Sequence, residues 1–234
     1  LKILEETTIP AIPHLTCVNH SLAEIEEILT GYAGARVPGI LALRGDLPKG
    51  DPTYDRSRDA FHYGADLVSF IRNFNRDLRT PLEKFRVGVA GFPEGHPETQ
   101  NRLKEMDYLK QKVDSGADYI CTQLFFNNHS FLDFRDRCRV AGIDIPIIAG
   151  IMPITSRPGM ERMADLAAGV HFPGNLQRAL QATGTDPVAF ETAGTDYATN
   201  QCQELLSEGV EGLHFYTLNK SNATKQVATA IGGS

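Results

Sequence analysis

Apolar positions along this chain alternate between two patterns. Short, nearly continuous apolar runs occupy residues 9–17, 39–44, 85–92, 119–126, 146–154 and 212–218, each bounded by Gly, Pro, Asp or Asn. Runs of this length and boundary chemistry predict β-strands. Apolar residues that do not alternate with polar ones predict strands covered on both faces, as in a parallel sheet. Between them the apolar residues follow a helical period. Ser21 precedes LAEIEEIL with Glu24 three residues on, the signature of a capping box. Further helices are predicted over 66–74, over 103–113 with Leu103, Met106, Leu109 and Val113 on one face, and from Asn128 or Ser130 to a stop at Gly142. Others cover 159–168, 174–181, 197–208 and 223–231. Strand–helix alternation predicts βαβ units on a parallel α/β sheet. Six such units fit an open doubly wound sheet by count alone, whereas a (β/α)8 TIM-type barrel needs eight strands and about 250 residues. No shift in composition marks a linker, so residues 1–234 read as one domain, with the polar segment 49–62 as an excursion.

Composition narrows the field. The 234 residues are 41% hydrophobic, enough for a sizeable core. A net charge of -6, without basic clusters, speaks against nucleic acid and against an anionic membrane surface. No stretch approaches the roughly 20 apolar residues of a membrane helix, and LKILEETTIP has no signal-peptide pattern. Cys17, Cys121, Cys138 and Cys202 form no C-x-x-C pair and are expected to be free thiols. The expectation is a soluble, cytoplasmic protein.

Ligands of parallel α/β proteins sit at the carboxyl ends of the strands. The polar residues predicted there are His14 and Thr16, then Arg44, Gly45 and Asp46, then the GFPEGHPE segment, Gln123, Tyr216 and Asn219. Asp46 reads equally as the opening of a turn before Pro48. Gln123 interrupts an apolar run, and an amide buried there without partners costs about 1–3 kcal/mol, which favours a functional reading. His96 lies near Glu94 and Glu98, but no second His or Cys stands at ligand spacing, so no metal is expected. Gly-rich phosphate loops are lacking. Glu105, Tyr108 and Lys112 share a helix face, and a solvated surface explains that spacing by itself.

Taken together, the segments resemble the methylenetetrahydrofolate reductase family. The matching pieces are PHLTC (13–17), LALRGDLPKG (41–50), YGADLV (63–68), VAGFPEGHPE (89–98), LKQKVDSGADYICTQLFFNN (109–128), IPIIAGIMPITS (145–156) and EGLHFYTLNKS (211–221). They span essentially the whole chain. The resemblance implies a (β/α)8 barrel that binds FAD, takes hydride from NADH or NADPH and reduces 5,10-methylenetetrahydrofolate to 5-methyltetrahydrofolate. It assigns FAD contacts to His14, Arg44, Gly45, Asp46, Tyr63, Gly64, His96, Pro97, Glu98, Glu105 and Lys112. It assigns the folate substrate to Asp46, Gln123, Tyr216 and Lys220, with Asp46 also beside the reacting edge of the flavin. Where some relatives have Arg, Lys220 keeps the charge without the bidentate fork.

The resemblance also implies two earlier βα units, the first with a glutamate that protonates folate. Neither motif occurs here. We expect residues that precede this chain; a second chain completing the barrel, or a non-catalytic flavin- and folate-binding remnant, is the alternative. Open strand edges make a homo-oligomer the expected state.

Overall fold

The computed structural model describes residues 2–48, 53–80, 84–99, 101–167 and 169–232. Positions 49–52 of the polar excursion, which include the end of LALRGDLPKG, lie outside the described residues, as does Ala168 at the end of a predicted helix. The elements run α1 (Lys2–Glu6), β1 (His14–Thr16), α2 (Leu22–Gly34), β2 (Gly39–Leu43), a 3-10 turn (Arg56–Arg58), α3 (Gly64–Asp77), β3 (Arg86–Gly91), α4 (Arg102–Asp114), β4 (Tyr119–Thr122), α5 (Asn128–Val140), β5 (Ile147–Ile151), α6 (Arg157–Leu166), α7 (Gly174–Ala182), α8 (Pro187–Ser207), β6 (Leu213–Phe215) and α9 (Asn222–Ala230). Strand order follows chain order, β1-β2-β3-β4-β5-β6. A doubly wound sheet reverses direction at a switch point. Here each strand is laid beside its predecessor, which is the winding of a TIM-barrel-like parallel α/β fold. Among the described residues no helix is long and apolar enough to cross a membrane.

The described chain forms two compact units, Leu1–Ala90 with Asp107–Ile120, and Gly91–Met106 with Cys121–Ser234. In the first, β1 pairs parallel with β2 (His14↔Leu41, Thr16↔Leu43) and β2 with β3 (Gly39↔Arg86, Ala42↔Val89). The opening of β4 is anchored to the same sheet by Asp118, whose N–H donates to the Val87 carbonyl and whose carboxylate accepts the Val87 N–H, both at 2.7 Å. Ile40, Val87 and Val89 are fully buried, as the uninterrupted apolar runs predict, and Ile25, Leu29, Leu67 and Ile71 pack from α2 and α3. The capping box at Ser21 and Glu24 is formed.

Asn75, near the end of α3, is 5% exposed. Its Nδ2 donates to the Phe85 carbonyl at 2.9 Å and its Oδ1 accepts the Phe85 N–H at 3.0 Å. One side chain thus satisfies both backbone groups where the chain enters β3. Asn75→Ala leaves both buried and unpaired, at about 1–3 kcal/mol each before relaxation. The expected loss is about 3 kcal/mol in urea unfolding; a loss below 1 kcal/mol would show that water replaces the amide.

In the second unit β5 pairs parallel with β6 (Ala149↔Leu213, Ile151↔Phe215). The end of β4 joins them through the Gly150 N–H, which donates to Thr122 Oγ1 at 2.9 Å. The core gathers Leu124, Phe126, Met152, Ile154, Met163, Leu176, Leu180 and Phe190. β4 stops at Thr122, four residues before the apolar run ends. The cause is α8. Gln201 donates to the Phe125 carbonyl at 2.9 Å and the Tyr197 hydroxyl to the Phe126 carbonyl at 2.6 Å. These carbonyls find helix side chains instead of a neighbouring strand, so the apolar run continues into a buried loop. Helix α8 itself starts ten residues before the predicted 197, at Pro187, with Asp186 accepting the Val188 and Ala189 N–H groups at 2.9 and 3.2 Å. Leu103, predicted on the buried face of α4, is 79% exposed.

Candidate functional site

In the first unit the predicted residues gather around the end of β2 and the start of α3. Gly45 has φ +81°, and a Cβ on it would stand 2.9 Å from Val18 Cγ2 and 3.0 Å from Thr16 Cβ. Only glycine fits a left-handed turn pressed that closely on the exit of β1. The turn leaves Asp46 exposed. Gly64 is buried as the first residue of α3. A Cβ there would lie 3.6 Å from Lys112 Cδ and 3.8 Å from the Arg44 backbone nitrogen. Arg44, Gly64 and Lys112, far apart in sequence, are therefore neighbours. Lys112 Nζ donates to the Ala90 carbonyl at 2.6 Å, which holds the cation in place. Tyr63, the residue preceding α3, is 62% exposed. His14 opens β1 instead of closing it, with its side chain exposed. Beneath these residues Cys17 donates to the carbonyls of Leu43 and Tyr63 at 3.4 and 3.6 Å. Burial, with Asp66 nearby, pushes its thiol up to about 12.

In the second unit the GFPEGHPE segment folds on itself and on the start of α4. The His96 N–H donates to Glu105 Oε1 at 2.9 Å, so Glu105 is held by the loop it follows. His96 Nδ1 accepts the Glu98 N–H at 3.1 Å. The ring packs edge-on against Phe92 with centroids 4.7 Å apart. Pro97 and Glu98 are exposed. Glu94 anchors the segment. Its carboxylate accepts the His171 N–H at 2.8 Å and the Ser130 hydroxyl at 3.4 Å, beside a cleft of about 470 Å³ that Arg102 and Arg137 also line. Burial raises its pKa above the usual carboxylate value, against the pull of those donors. Among the described residues no group of three or more His, Cys, Asp or Glu is placed to hold a metal ion.

At the other strands of this unit, Gln123 follows the last residue of β4, half-buried, with its Oε1 accepting the Leu124 N–H at 2.9 Å. Tyr216 follows β6, and its hydroxyl donates to the Thr122 carbonyl at 2.8 Å. Gln123 and Tyr216 thus share Thr122 as a neighbour. Gly150 makes this possible, since a Cβ on it would meet the Thr122 carbonyl at 2.3 Å and Tyr216 Cε2 at 2.9 Å. Burial pushes the Tyr216 phenol above its ordinary range, with Cys121 adding to the shift. Lys220 is exposed at the end of a turn in which Leu218 and Asn219 are left-handed, φ 45° and 61°.

Sequence reasoning missed Arg56, whose Nη2 donates to the Gly45 carbonyl at 2.9 Å. Nothing local marks it, because the contact spans eleven residues across a polar loop. It also missed the partners of Glu94, which come from α5 and from the segment between α6 and α7.

Comparison with known proteins adds the remaining observation. The profile of the methylenetetrahydrofolate reductase family matches residues 1–232. The 5,10-methylenetetrahydrofolate reductase of Pectobacterium carotovorum subsp. carotovorum is 34% identical over 230 residues, covering 98% of this chain and 72% of that protein. Methylenetetrahydrofolate reductase (NADH) 1 of Arabidopsis thaliana is 35% identical over 228 residues, covering 94% of this chain and 37% of the plant protein. Methylenetetrahydrofolate reductase 2 of Saccharomyces cerevisiae is 37% identical over 213 residues, covering 90% of this chain and 34% of the yeast protein.

Proposed function

This chain belongs to the methylenetetrahydrofolate reductase family, and on that premise we propose that it reduces 5,10-methylenetetrahydrofolate to 5-methyltetrahydrofolate, with electrons from NADH or NADPH passing through FAD. The observation that carries the reading is the match over residues 1–232, joined to the position of the family motifs at strand ends and adjoining helix starts.

The chemistry of the first unit suits FAD. Its diphosphate is an anion, and the start of α3 offers the positive end of a helix dipole. The Lys112 stem and the Arg44 backbone lie beside that point, and Gly64 keeps a side chain out of the way. When bound, FAD supplies the group that accepts and donates hydride. Every other task falls to the chain. Within the first unit, His14, Tyr63, Gly45 and Asp46 are assigned to orienting the cofactor. Asp46 presents a carboxylate to the folate ring. Within the second unit, Gln123, Tyr216 and Lys220 are the residues that the family resemblance assigns to the substrate. The name of the Arabidopsis relative supports NADH as the first donor to try.

An anaerobic visible spectrum tests the reading. The purified protein, supplied with FAD, should show a flavin band that bleaches with NADH or NADPH and returns on adding methylenetetrahydrofolate. Absence of any bound flavin band would sink it.

A further inference from the structure

The loop between β2 and α3 carries side chains to which the family resemblance gives no role. Arg56 opens the 3-10 turn, which Asp55 caps by accepting the Ser57 N–H at 2.9 Å. From there its Nη2 reaches back to the Gly45 carbonyl at 2.9 Å. The other terminal nitrogen, Nη1, is buried and makes no hydrogen bond among the described residues. The same loop is tied down a second time. Asp59, 7% exposed, accepts the Tyr54 hydroxyl and, at 2.9 Å, the N–H of Asn19, a left-handed residue with φ 61°. The Ala60 N–H donates to the His20 carbonyl at 2.9 Å. The loop is thus fastened to the exit of β1 on one side and to the Gly45 turn on the other.

We propose that Arg56 is a positioning residue, which fixes the Arg44-Gly45-Asp46 turn and through it the direction in which Asp46 meets the folate ring. Its catalytic consequence rests on the reductase reading; its structural part does not. Gly45 needs such a fastening because glycine constrains its own backbone least of all residues. The bond from Arg56 ends on its carbonyl, one peptide before Asp46.

The test compares Arg56→Ala and Arg56→Lys with the wild type by hydrogen–deuterium exchange of flavin-free protein. In Arg56→Ala, exchange over residues 43–47 should rise about tenfold, with peptides from α2 and β3 unchanged, and Lys, which keeps a donor, should restore most of the protection. With FAD loaded, kcat for the folate half-reaction should fall in step, about tenfold, at an unchanged KM for NADH. Unchanged exchange over 43–47 overturns the proposal. A rise shared by all peptides of the first unit overturns it equally, since that marks a merely structural residue. Should Arg56→Ala not fold, Arg56→Gln is read by the same two criteria. A wild-type protein that takes up no flavin defeats the reductase reading, while the exchange pattern still decides whether Arg56 holds the turn.

Discussion

Asp46→Asn is expected to slow reduction of the folate about 100-fold while FAD stays bound and oxidation of NADH changes little. The carboxylate stands exposed on the turn after β2, free to accept from a polar ring with both oxygens. Asparagine keeps the shape but turns one acceptor into a donor and removes the charge. A hydrogen bond to a charged group is worth about 1.5–3 kcal/mol, and each 1.36 kcal/mol is tenfold in rate. Only the part realised in the transition state appears in kcat. The two half-reactions should be measured separately by stopped flow. Gln123→Ala provides the parallel case, because its amide sits just beyond β4. Full folate turnover in both variants would remove these residues from the site.

Gly194→Ala is expected to cost about 3 kcal/mol or more, and the protein is expected to express poorly. Gly194 lies inside α8, where glycine is disfavoured by about 1 kcal/mol relative to alanine. Helix propensity therefore predicts a gain. The structure predicts the opposite, because a Cβ there would stand 1.8 Å from the Ile154 carbonyl oxygen. That neighbour is backbone just beyond β5 and cannot rotate away. Either the helix lifts off the core that contains Ile154 and Phe190, or the segment after β5 shifts. Overpacking of cores costs typically 1–3 kcal/mol, and more where backbone must move. Thermal unfolding measures it directly. A variant as stable as the wild type would mean that α8 adjusts its distance freely.

Much of the fold is legible in the sequence because its signals are local. The apolar runs of β2 and β3, the Ser21–Glu24 box and the glycine at 142 each report their own neighbourhood. What is not legible depends on partners far along the chain. The run 119–126 looks like one strand, yet its second half is a loop whose carbonyls are claimed by Tyr197 and Gln201, more than seventy residues on. The early half of α8 contains Thr, Gly and Asp, which blur a helical period, although Asp186-Pro187 is a usable start signal. At the candidate site, Gln123 stands out as an amide among apolar neighbours, and Asp46 is visible only as one of two readings. The nearness of Arg44, Gly64 and Lys112 is a product of folding, and no spacing along the chain announces it.

All four cysteines are buried, and burial holds their thiols protonated, at about 12 for Cys17, Cys138 and Cys202 and about 11 for Cys121. The thiolate is the species that reacts. In the native protein all four should therefore be silent towards alkylating reagents. Each becomes reactive only when its surroundings open. Cys17 lies in the first unit and the other three in the second. The wild-type chain thus contains its own set of probes: the rate at which each thiol is alkylated measures how often that part of the molecule opens, with no label introduced.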